Sequence, residues 1–166
     1  PRIPARETIR ATVIGAGCHA TELSGSTVYF DRIAFPLKNL PVAALMPEEE
    51  HLPPAELAEA VRARLAVFAD GPAVLALQGR RDLHFAALSA LADGLAGGLR
   101  GRDGPVLVAV AADVGKALGQ ALAVRLPGVP LLCLDGVQLP PGSYLDVAAP
   151  IAGGQVLPVV IKTLVF

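Results

Sequence analysis

Two glycines near the start of the chain have the spacing of a nucleotide-binding turn. Gly15 and Gly17 are followed by Ala20 in the pattern G-x-G-x-x-A, after a short apolar run. Such glycines let the backbone approach a pyrophosphate at the amino end of a helix, and an acid such as Asp31, after a later apolar run, would bind the ribose. Because the pattern is short and permissive, it supports only the hypothesis of a Rossmann-like dinucleotide-binding module of an oxidoreductase.

The same segment also has the spacing of a helix. Its apolar residues recur at intervals of four, three, four and three residues, and Ser24-Gly25 would end the helix. These residues are Ile9, Val13, Ala16, Ala20 and Leu23. We therefore expect one helix over residues 9–23, in which Gly15 and Gly17 are close packing contacts and bind no phosphate.

A second candidate site lies where a strand is expected to lead into a helix. Asp113, Gly115 and Lys116 follow the apolar run of residues 106–111, and small ligands commonly bind at this edge of an α/β sheet. A small anion could bind at the helix amino end, although Ala117 offers no hydroxyl and a Walker A loop is therefore excluded. The alternative is that Asp113 caps the helix and Lys116 is solvated.

The remaining polar residues predict neither a catalytic residue nor a metal site. His19, His51 and His84 fall in three separate segments without a set of cysteine ligands. Asp135 and Asp146 would form a carboxylate pair only if the ends of their strands meet. The alternative for Asp135 is a turn, because a glycine follows it.

The elements that must position these residues alternate between strand and helix. Continuous apolar runs predict buried strands at residues 73–77, 106–111 and 131–134. The helix after Asp82 should bury Phe85, Leu88, Ala92, Leu95 and Leu99, with Leu91 at the edge of this stripe. The helix after Asp113 should bury Val114, Ala117, Leu118, Ala121 and Leu122. This alternation predicts the α/β class, with a mostly parallel sheet flanked by helices.

The segments on either side of this unit complete the predicted organisation. A helix should begin at Pro53-Pro54, and two more strands should lie at residues 144–148 and 159–165. The predicted division is a terminal helix in residues 1–25, an extended connector with short strands in 26–53, and an α/β domain in 54–166.

Within the connector, Pro36 and Pro41 should interrupt any long strand. The acidic run Glu48-Glu49-Glu50 should be a solvated linker. The connector is therefore expected to consist of short extended pieces.

Composition limits the classes of function. The chain has 166 residues, 53% of them hydrophobic, and a net charge of −1, so it can build a core but lacks the basic footprint of a nucleic-acid-binding protein. Its longest uncharged stretch is shorter than the roughly 18 apolar residues that span a membrane. Cys18 and Cys133 are far apart in the sequence, which fits a reducing compartment such as the cytoplasm better than a secreted disulfide scaffold. Cys133 should lie in the core. The first residue is Pro1, so we expect a piece of a longer protein.

Segments at both ends of the chain match one family in order and spacing. They are residues 10–17, 23–27, 36–42, 115–119, Gly142 with 144–146, Gly153-Gly154, and 156–166 with Lys162-Thr163-Leu164. These segments resemble the ethanolamine ammonia-lyase reactivating factors, the ethanolamine-utilization protein A family of the actin-like ATPase superfamily. Residues 48–104 resemble the family only in length and pattern.

The resemblance implies the C-terminal part of an ATP-dependent molecular chaperone. Such factors use ATP and Mg²⁺ to release damaged cobalamin from inactivated ethanolamine ammonia-lyase, so that adenosylcobalamin can bind. The resemblance implies this lyase as partner, a cytoplasmic location and association with a bacterial microcompartment. The helix over residues 9–23 would be left over from the actin-like core, and pairing of this helix with another copy would give a homo-oligomer.

The chain departs from the actin-like pattern at the nucleotide site. That pattern has two D-x-G-x-x-[ST] hairpins and a Gly-Gly-x-Gly turn, whereas residues 113–118 end in Leu118 and Gly153-Gly154 lacks the last glycine. We therefore predict no cofactor in this chain, which should neither bind ATP tightly nor hydrolyse it. The main hypothesis is a role in contacts with the target enzyme or other copies. The alternatives are the dinucleotide-binding module and a structural interaction domain of an unrelated assembly.

Overall fold

The computed structural model describes residues 18–24, 28–154 and 156–163, which form an α/β fold. Eight strands make one sheet in the order β1-β8-β7-β3-β4-β5-β6-β2. The strands are β1 (Cys18–Ser24), β2 (Tyr29–Asp31), β3 (Leu37–Ala44), β4 (Val74–Leu77), β5 (Val106–Val110), β6 (Leu131–Asp135), β7 (Tyr144–Val147) and β8 (Val156–Lys162). The α-helices are α1 (Pro54–Ala66), α2 (Phe85–Leu99) and α3 (Gly115–Arg125). None of these helices is long and apolar enough to cross a membrane.

The centre of the sheet is a run of parallel strands, as the alternation of elements predicts. Strands β3, β4, β5 and β6 are parallel neighbours, and α1, α2 and α3 connect them in turn. Each connection moves one strand further in the same direction, so right-handed crossovers place all three helices on one face. Every residue of β4, β5 and β6 is buried, which explains their continuous apolar sequences.

Each face of the sheet has its own hydrophobic core. On the helical face, Leu95 of α2 belongs to the same cluster as Val108 of β5. On the opposite face, Leu107 of β5 belongs to a cluster that also contains Leu145 of β7 and Leu157 of β8. Because β7 and β8 are part of the same sheet as β5, this contact requires the sheet to curl over itself.

Residues 18–24 correct the expectation of a helix. They form β1, which pairs antiparallel with β8 over its whole length, from Cys18 opposite Lys162 to Ser24 opposite Val156. The intervals of four and three residues allow a helix, but pairing with β8 gives the backbone of this segment a different set of hydrogen-bond partners. The terminal helix is therefore wrong for residues 18–24, and residues 9–17 lie outside the described part.

The predicted connector contains a longer strand than the short pieces that its prolines indicate. Strand β3 is eight residues long and lies between β7 and β4. Its first part pairs with β7 as far as Pro41, and its last part pairs with β4 from Val42 onward. Pro41 is tolerated within a central strand because it lies where the strand changes its ladder partner.

A bulge in β3 is held by side chains from β7, which is its neighbour in the sheet, and from β8, the strand beyond β7. Asn39 has a φ of 55° and donates its backbone N–H to Asp146 Oδ1 at 2.7 Å. Lys162 Nζ lies 2.9 Å from Asn39 Oδ1 and 2.6 Å from Asp146 Oδ2. Burial acts to raise the pKa of Asp146, but the Asn39 N–H and the Lys162 ammonium outweigh it and hold the pKa below its usual value.

This arrangement predicts that the protein loses stability in acid. A pKa that is lower in the folded state contributes stability above the unfolded value of 3.8, and that contribution is lost as the pH falls through the folded value. Urea unfolding between pH 6 and pH 2 should therefore show that the free energy of unfolding falls less steeply with decreasing pH in Asp146→Asn than in the wild type. The same dependence of the free energy of unfolding on pH in both proteins would show that Asp146 does not contribute to it.

Candidate functional site

The predicted anion-binding residues lie at the carboxyl edge of the parallel strands. Gly115 is the first residue of α3 and is buried, Lys116 follows it and is exposed, and Asp113 is exposed in the loop from β5. The residue at the cap position of α3 is Val114, and no side-chain hydrogen bond is made from that position. Asp113 is therefore not the cap that the sequence indicates.

Asp135 binds the amino end of α3 from the neighbouring strand. It is the last residue of β6, is only 4% exposed, and accepts a hydrogen bond from the backbone N–H of Gly115 at 2.9 Å. Asp135 therefore supplies a carboxylate at the helix amino end, where an anion would otherwise be favoured. An anion site at Asp113, Gly115 and Lys116 stays a prediction, with Asp135 as a competitor for the same backbone donor.

The acidic run that the sequence places in a solvated linker instead binds backbone and side-chain groups. Glu50 accepts hydrogen bonds from the backbone N–H groups of Gln78 at 2.6 Å and Gly79 at 2.9 Å, in the loop that follows β4. Glu49 pairs with Arg64 of α1 at 2.8 Å. The hydrogen bond from this guanidinium lowers the pKa of the Glu49 carboxyl, against the opposing effect of burial. The linker expectation is wrong because Glu50 binds the loop after β4 and Glu49 binds helix α1.

Among the described strands, the order of the parallel part of the sheet gives no topological switch point at this edge. In open α/β sheets ligands bind where the strand order reverses and the helices diverge to opposite faces. Strands β3 to β6 run in sequence order without a reversal. One pocket at the edge has a volume of about 160 Å³ and contains Met46, Gln78 and Leu139, and another of about 170 Å³ contains Glu50 and Arg80.

The described residues do not support the dinucleotide-binding hypothesis. That fold requires a helix to start at the glycine turn, but residues 18–24 after Gly17 form a strand. Asp31 ends β2, at the opposite edge of the sheet from β1, and pairs with Arg32 at 3.0 Å. Gly15 and Gly17 themselves lie outside the described residues.

Two further predictions about single residues can be compared with the structure. Asp135 and Asp146 do not form a carboxylate pair, because β3, β4 and β5 lie between their strands in the sheet. Cys133 lies fully buried in the core, as predicted, and its burial raises the pKa of the thiol. Desolvation thus keeps Cys133 a neutral packing residue and a poor nucleophile.

A groove between α2 and α3 is larger than the pockets at the carboxyl edge. Its volume is about 460 Å³, and we call it the α2–α3 groove. Its lining residues are Phe85, Leu88, Ser89, Ala117, Gln120, Ala121, Val124 and Arg125. Phe85 and Val124 are 85% and 80% exposed, so the groove presents large apolar side chains to solvent.

The sequence placed several of these groove residues in the core. Phe85 is exposed because it is the first residue of α2, beyond the part of the helix that is buried. In α3 the buried face is formed by Gly115, Leu118, Gly119 and Leu122, so Ala117 and Ala121 turn towards the groove. The predicted stripe of α3 is confirmed at Leu118 and Leu122, which are buried, and at Val114 and Ala121, which pack against the core, whereas Ala117 is exposed. Gly119, which carries no apolar signal in the sequence, packs closely against Tyr29.

Comparison with known protein families shows which family the chain belongs to. The family model described as "Ethanolamine utilisation protein EutA" matches residues 2–166. The chain belongs to the EutA family. It is 39% identical over 166 residues to "Ethanolamine ammonia-lyase reactivase EutA" of Salmonella typhimurium, and 39% identical over 164 residues to the protein of the same name from Escherichia coli. No solved structure matches the chain.

Membership of the EutA family confirms the resemblance found in the sequence. Each of the two alignments covers 96% of this chain but only 34% of the relative, so the chain spans about a third of the length of the curated EutA proteins that it matches. The motif-based resemblance was strongest at the two ends of the chain, whereas the EutA family model extends through the middle as well.

Proposed function

We propose that this chain is the C-terminal part of an ethanolamine ammonia-lyase reactivase and that it binds the lyase without carrying out chemistry itself. The observation that carries this proposal is the family match over residues 2–166, together with 39% identity to two proteins named as reactivases. Membership of the family supports a part in reactivation, and the architecture of this part supports a role in contacts.

The carboxyl edge of the parallel strands supports a role in binding a partner over a role in ATP hydrolysis. Asp135 and Glu50 bind backbone N–H groups of Gly115, Gln78 and Gly79, the donors that a phosphate at this edge would need. Leu118 is fully buried in α3, at the position where an actin-like phosphate hairpin has a hydroxyl. The described residues therefore do not fit an ATP site, and we assign no step of ATP hydrolysis to them.

For the complete reactivase, the family resemblance supports ATP and Mg²⁺ as cofactors. It also supports the exchange of damaged cobalamin for adenosylcobalamin on ethanolamine ammonia-lyase, in the cytoplasm and in association with a bacterial microcompartment. A homo-oligomer likewise stays a proposal. Pairing of a terminal helix with another copy does not apply to residues 18–24, which form a strand and pair with β8.

A binding measurement tests the proposed function. Biolayer interferometry with immobilised ethanolamine ammonia-lyase should show saturable binding of the 166-residue chain without ATP, and no binding to an unrelated cobalamin enzyme. A reactivase that lacks the segment equivalent to this chain should fail to restore activity to cyanocobalamin-inhibited lyase supplied with ATP, Mg²⁺ and adenosylcobalamin. Absence of binding, with full reactivation by the shortened protein, would refute the proposal.

A further inference from the structure

We draw no further inference here: the strongest candidate, the apolar α2–α3 groove with its exposed Phe85 and Val124, carries none because nothing in the part of the chain that the structure describes shows what covers it.

Discussion

Replacement of Gly98 by alanine is expected to lower the free energy of unfolding by about 2 kcal/mol, within the usual range for overpacked cores. Gly98 lies on α2 where this helix crosses α1. A Cβ at this position would lie 2.5 Å from Val61 Cβ and 2.7 Å from the carbonyl oxygen of Ala58. Because Ala58 presents a backbone atom, a side-chain rotation alone cannot make room, and the two helices must move apart. This cost exceeds the gain of up to about 1 kcal/mol that alanine brings to a helix.

Gly97→Ala is the matched control, because Gly97 is in the same helix and gains the same helical propensity. A Cβ at position 97 would meet only the Cβ of Ala58, at 3.1 Å. Equilibrium urea unfolding should therefore show that Gly97→Ala is at least as stable as the wild type. A Gly98→Ala protein as stable as Gly97→Ala would show that the crossing has room for a methyl group.

A double-mutant cycle assigns the cost to the crossing. Val61→Ala alone should destabilise the protein by creating a cavity, but in the Gly98→Ala background it should cost less, because it removes Val61 Cγ1, which would lie 2.6 Å from the new Cβ. Additive effects of the two substitutions would mean that the methyl groups of Val61 do not contribute to the cost of Gly98→Ala. The result also bears on the groove, because α2 forms one of its walls.

The parts of the fold that the sequence predicted are those in which burial leaves a direct sequence pattern. Strands β4, β5 and β6 are buried on both faces, so each appears as a continuous apolar run. Helix α1 has a periodic stripe that matches its buried residues Leu57, Val61 and Leu65. In these elements local sequence and tertiary burial favour the same structure.

The strands that the sequence missed depend on pairing with distant segments. Residues 18–24 have helical spacing, yet they pair with residues 156–162 at the other end of the sequence. Strand β3 contains Pro41 and changes its ladder partner along its length, which no local pattern reveals. For such segments the choice between helix, loop and strand is made by long-range contacts.

The candidate site shows the same limit at the level of single carboxylates. The sequence correctly located the start of α3 near Asp113, because a capping residue is expected directly before a helix. The carboxylate that binds Gly115 belongs to Asp135, twenty residues further along the chain. Only the adjacency of β5 and β6 in the sheet brings it there. The α2–α3 groove was missed for a related reason, because Phe85 and Ala117 are apolar and the helical stripes assign them to the core.

Asp135→Ala is expected to lower the free energy of unfolding by about 2 kcal/mol, because the substitution leaves a buried N–H without its charged acceptor. Asp135 is 4% exposed, and the bond from Gly115 N is 2.9 Å long. Water cannot readily replace the carboxylate at a buried helix end. Urea unfolding measures the loss, and the amide proton of Gly115 should exchange faster with solvent in the variant.

Asp113→Ala is the control that separates the two acids. Asp113 is exposed and lies closer in sequence to the helix start, so a local capping model predicts that it matters more than Asp135. Since the geometry gives the bond to Asp135, Asp113→Ala should change stability by less than about 0.5 kcal/mol. Asp135→Asn should fall between the wild type and Asp135→Ala, because the amide oxygen still accepts a hydrogen bond but carries no charge. If Asp113→Ala proved more destabilising than Asp135→Ala, the assignment of Asp135 as the group that holds α3 would be wrong.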